Sequence, residues 1–189
     1  MPNDVMNEII FRNVNQETRN RILEKVRNAD GEIDFEILLP RPLNIWCGDV
    51  SLNISRGGVS SMREKVFPET GLAWSTRNWG TKWNAYGLDD GGKYKSIEEG
   101  DDSLTLRFQT AWSPPMGWIV ALFNFFKLPF EHNYLNEGSD RGVSAHFDYA
   151  ALRGSHDREA WSEKPADDEL QKHLHKMLFG VESFPEEED

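Results

Sequence analysis

Cysteine is nearly absent: Cys47 is the single one in 189 residues, so no intrachain disulfide can form and a reducing compartment is expected. Positive charge is also scarce. Thirty-two Asp and Glu face 21 Lys and Arg, which leaves a formal net charge of −11. Nonspecific nucleic-acid affinity depends on cations that release counterions from phosphate, so this balance excludes a general DNA or RNA binder. Long hydrophobic runs are missing too. The most apolar stretch, Met116 to Phe126, is interrupted by Asn124 and falls well short of the ~20 residues a membrane span needs. Met1-Pro2-Asn3-Asp4 has neither the basic nor the apolar region of a signal peptide, so a soluble, cytoplasmic protein is expected. No G-x-S-x-G, Walker A or dinucleotide fingerprint occurs. Cys47, between Trp46 and Gly48, lacks a basic neighbour in sequence to activate it. Catalysis and a bound cofactor are therefore not expected.

Aromatic residues are plentiful, at 12% of the chain with seven tryptophans. Two tryptophans and a tyrosine crowd into Asn78-Trp79-Gly80-Thr81-Lys82-Trp83-Asn84-Ala85-Tyr86, and a second signature follows at Phe108-Gln109-Thr110-Ala111-Trp112-Ser113-Pro114-Pro115. Together with the opening Met1-Pro2-Asn3, these segments resemble the YubB-like ferredoxin-like family of bacteriophages and conjugative plasmids. The resemblance implies a ferredoxin-like fold, a mobile-element origin and a bacterial host cytoplasm. It implies no activity.

Periodicity leads to the same fold independently. Glu8 to Arg12 reads as a strand, and Asn13, with Gln16 as its capping partner, opens a helix to about Asn28 with Thr18, Ile22, Leu23 and Val26 on one stripe. Ile33, Phe35 and Ile37 alternate with acidic residues as a second strand. Leu104 to Trp112 alternates as a third. Ser113 then reads as the N-cap of an apolar helix, and Phe130, His132 and Tyr134 as a fourth strand. The order is the βαββαβ ferredoxin-like unit, an α+β antiparallel sheet with both helices on one face. A long insertion, residues 39–102, is expected between strands 2 and 3, and a strand is added near Val143 to Tyr149. This places a ferredoxin-like domain at 1–150, a C-terminal helical extension at 151–180 and an acidic, disordered tail at 181–189.

The first signature holds the binding-site candidates: Asn78, Trp79, Lys82, Trp83, Asn84 and Tyr86. Fixed polar residues beside aromatic faces are typical of ligand pockets. The plainer alternative is a small aromatic core, with Trp83 buried and Lys82 in solvent. The alternation places Ile10, Asp34, Glu36, Arg107, Gln109, Glu131 and Asn133 on the sheet face away from the helices, without the exposed aromatic pair that RNA-recognition sheets use. His146 and Asp148, two apart on one strand, with His132 on its neighbour, form a weak metal triad; no metal is expected. Arg19, Arg21, Lys25 and Arg27 on the first helix read as a solvated face. Three functions fit these residues. The first is a phage- or plasmid-encoded accessory protein that binds and modulates a host protein, with counter-defence inhibition as one form. The second is a small-molecule or nucleotide binder using segment 78–86. The third is a metal-dependent enzyme.

Overall fold

The computed structural model describes residues 3–45, 70–88, 94–148 and 161–180. Six strands form one sheet in the order β2-β3-β1-β4-β5-β6, with every neighbouring pair antiparallel. They are β1 (Asp4–Arg12), β2 (Ile97–Glu99), β3 (Ser103–Ala111), β4 (Phe130–Asn136), β5 (Val143–Phe147) and β6 (Trp161–Pro165). The helices are α1 (Gln16–Val26), α2 (Phe35–Leu38), α3 (Gly71–Asn78), α4 (Met116–Phe126) and α5 (Asp168–Phe179). The order β2-β3-β1-β4 with helices α1 and α4 is the ferredoxin-like arrangement, so the α+β fold class read from the sequence holds. The added strand at Val143–Phe147 is also present.

Period-two side-chain direction divides the sheet. Ile9, Phe11, Leu104, Leu106, Phe108, Phe130, Ala145 and Phe147 face α1 and α4. There they meet Ile22, Leu23, Val26, Trp118, Ile119, Leu122 and Phe123 in the main core. Rings dominate this core: Phe35 lies against Trp79, Phe108 and Trp118 at centroid distances of 5.6, 5.5 and 4.6 Å.

The expected strand over Ile33 to Ile37 is not formed. Ile33 makes only an isolated bridge to Arg27, and Asp34 accepts a hydrogen bond from the Glu36 backbone N–H as the N-cap of the short helix α2. Phe35 is driven into the core while Ile37 stays 39% exposed. The second strand is Ile97–Glu99 at the sheet edge, so the long excursion lies between α1 and β2 rather than between strands 2 and 3. The caps move as well. Asn15, not Asn13, caps α1, and Asn13 turns the chain at φ 55°. Ser113 does not cap α4: that helix starts at Met116 after Pro115 and has no side-chain cap, while the Ser113 hydroxyl donates to the Gly80 carbonyl at 2.6 Å.

Helices are not confined to one face. α5 lies on the opposite one, where Leu174 and Met177 pack on Met6 and Leu135 in a second cluster. Asp167 caps α5 and Gly180 ends it at φ 75°. Cys47 and the acidic tail lie outside the described residues.

Candidate binding surfaces

The two aromatic signatures interlock. Trp79 is fully buried, donates its indole N–H to the Leu39 carbonyl at 2.9 Å, and offers its own carbonyl to the Trp118 N–H at 3.1 Å. The Thr81 hydroxyl donates to the Ala111 carbonyl at 2.9 Å. At the crossing, a Cβ on Gly117 would stand 2.1 Å from the Asn78 carbonyl oxygen, and one on Gly80 would stand 2.8 Å from the Met116 nitrogen. Gly80 also sits at φ 89°, so only glycine suits this crossing. Four of the six candidate residues from the first signature serve this architecture. Trp79 fills the core. The Asn78 amide donates to the Trp74 carbonyl, Asn84 binds the Phe35 N–H and the Asp34 carboxylate, and the Tyr86 hydroxyl donates to Asp4.

The other two, Lys82 and Trp83, reach the surface. Trp83 is 45% exposed, so its expected burial does not hold; Trp79 occupies the core position instead. The Lys82 ammonium lies 4.8 Å from the Trp83 ring centre and 5.9 Å from that of Trp112. Trp112 is 56% exposed and adopts φ 76°. This is an uncommon conformation for a bulky L-residue. The patch thus joins a lysine and two indoles from segments far apart in sequence.

A separate cleft of about 610 Å³ opens on the sheet face that carries α5. Strand register builds its floor as two cross-strand rows. One runs Arg107, Glu8, Asn133, Ser144, Lys164, and the other runs Ile10, Glu131, His146. Asp167, Glu169, Leu170 and His173 of the α5 segment form its side. Glu8 is 2% exposed and is held by Arg107 Nε at 2.8 Å and His173 Nε2 at 3.0 Å. Burial alone would raise its pKa, but the hydrogen bonds and charges of His173 and Arg107 outweigh that and hold it below the usual carboxylate value. Arg107 also pairs with Glu98, and Arg12 pairs with Glu131.

Residues 91–169 match one family model, described as a ferredoxin-like domain in Api92-like protein. This matched ferredoxin-like domain spans β2 to β6, and the strand order agrees with its description. Neither the curated proteins nor the solved structures yielded a match.

The ferredoxin-like sheet separates the weak metal candidates. His132 points into the main core and is fully buried, whereas His146 faces the cleft opposite Glu131. Among the described residues, no group of three ligating side chains is brought together. Asp148 follows β5. His132 Nε2 lies 3.1 Å from Asn7 Oδ1, and desolvation pushes its pKa down to about 3. No helix among the described residues is long and apolar enough to cross a membrane.

The cleft residues Glu8, Arg12, Ser144, Lys164 and His173 were not singled out by sequence reasoning. Only register aligns Glu8, Ser144 and Lys164, Arg12 joins them through its pair with Glu131, and only the placement of α5 adds His173. Trp112 stood out in the sequence as part of the second signature. Its approach to Lys82 follows from the signature crossing, which periodicity does not encode.

Proposed function

We propose that this is an accessory protein of a bacteriophage or conjugative plasmid that binds and modulates a host protein, with counter-defence inhibition as its role. Trp83, Lys82 and Trp112 form the contact. The observation that supports this most is Trp112, a large apolar residue kept in solvent at φ 76°. Such backbone strain costs about 1–3 kcal/mol and gathers at ligand-contacting sites. Tryptophan is enriched among the residues that dominate binding energy at protein interfaces. The net charge of −11 steers encounters toward a basic surface, such as a host protein presents to nucleic acid. The resemblance of the two signatures to a mobile-element family supports the origin.

The test compares host-lysate capture by the wild-type protein and by a Trp83→Ala/Trp112→Gly variant. Both should show the same folded spectrum, since glycine relieves the left-handed backbone at position 112. One host protein should be retained by the wild type and lost by the variant. Equal capture by both, or no host protein held by the wild type, would refute the reading.

A further inference from the structure

The cleft beside α5 is remote in the fold from the Lys82–Trp83–Trp112 patch and has the features of a small-molecule site. We propose that it binds a free amino acid, recognised by its paired ammonium and carboxylate. Three observations carry this. First, Asn133 lines the cleft at 3% exposure, and among the described residues its Oδ1 has no hydrogen-bond donor. A buried acceptor without a donor is costly, so a ligand N–H there would be favoured. Second, across β4, β5 and β6 the floor separates acceptors from donors. On β4, Glu131, which also pairs with Arg12, lies two residues from Asn133 on the same face, so this strand presents acceptors for an ammonium group. On β5 and β6, Ser144, His146 and Lys164 present a hydroxyl, an imidazole and an ammonium suited to a carboxylate. Neighbouring strands lie about 4.8 Å apart, a scale on which hydrogen bonds can reach both sides of one α-carbon. Third, among the described residues the lining has no Phe, Tyr or Trp. A nucleobase would find no stacking platform of the kind single-strand binders supply, whereas a compact zwitterion needs none.

The experiment is amide-resolved NMR titration of the full chain with each proteinogenic amino acid. For those that bind, the C-terminal amide and N-acetyl forms, each lacking one charge, are titrated as well. At least one free amino acid should shift the amides of Asn133, Ser144, His146 and Lys164. Both blocked forms should bind at least about tenfold more weakly, the scale of a lost charge-assisted hydrogen bond. Lys164→Gln, at an exposed position, should weaken binding similarly without unfolding the protein. The Trp83→Ala/Trp112→Gly variant should bind as the wild type does, which separates this site from the protein-binding patch. If no amino acid shifts these amides, if blocked forms bind equally well, or if Lys164→Gln binds unchanged, the proposal is overturned.

Discussion

His132 should make the protein lose stability in mildly acidic solution, before most carboxylates titrate. Its ring is fully buried between Ile9 and Ala145 in the cross-strand register. The Asn7 amide nitrogen donates to the Val5 carbonyl and the Thr110 hydroxyl, so its oxygen faces Nε2 and the neutral tautomer carries its proton there. Among the described residues Nδ1 has no partner, so a second proton would create a buried cation whose desolvation they do not offset. The unfolded imidazole takes a proton near its ordinary value of about 6.5, whereas the folded one resists until about 3. Between those values the unfolded chain holds the extra proton, so stability falls as pH falls. The contribution is complete above the unfolded value, erodes toward the folded one and then levels off. From about pH 7.5 to about pH 5, the loss is about 2 kcal/mol. Urea denaturation across that window should show it in the wild type. His132→Gln keeps an N–H donor but cannot titrate, so its profile should lack this component. His173 beside Glu8 is common to both proteins and cancels in the comparison. Parallel stability profiles for wild type and variant would refute the assignment.

Gly117→Ala should destabilise by about 3 kcal/mol or more, because its Cβ would meet the Asn78 carbonyl at 2.1 Å and backbone cannot yield as a side chain can; an unchanged denaturation midpoint would discount the crossing. Glu8→Gln should cost about 1–3 kcal/mol, because the hydrogen bonds from Arg107 and His173 lose their charged acceptor while Arg107 keeps Glu98. With its folded pKa lowered, wild-type Glu8 gives stability that is present above its unfolded pKa and lost as pH falls through the folded one; Glu8→Gln should therefore flatten the acid limb of a thermal-melt series. In gel shifts at about 150 mM salt, neither DNA nor RNA should bind appreciably. Of the basic run on α1, Arg19 is buried and donates to the Val14 and Asp101 carbonyls, so it adds nothing to a phosphate-binding surface.

The sequence made β1, β3, β4, β5 and helices α1, α4 and α5 legible because each buries a face and therefore shows a period. Two strands escaped for the opposite reason. Ile97–Glu99 is a three-residue edge, and Trp161–Pro165 is exposed along its length, so neither has an apolar alternation to read. Ile33 to Ile37 alternates like a strand although Asp34 caps a helix there; four helical residues are too few to reveal their own period. The surface patch was half legible. Lys82 and Trp83 stood out, whereas Trp112 joins them only through the tertiary crossing at Gly80 and Gly117. The cleft was the least legible because its rows depend on strand register. Ile10, Arg107, Glu131 and Asn133 were placed on the correct face, but their alignment with Ser144, His146 and Lys164 required the pairing itself.

The central position of β1 has a consequence for synthesis. It is flanked by β3 and β4, both made much later. Glu8 and its partner Arg107 are 99 residues apart, which at about 5–20 residues per second leaves a wait of roughly 5–20 s. During that time Val5, Met6, Ile9 and Phe11, all buried in the finished fold, have no sheet to join. The nascent chain therefore carries an apolar strand with both hydrogen-bonding edges open, a target for ribosome-associated chaperones. Its yield in a cell should track their supply more closely than the stability of the finished fold would indicate.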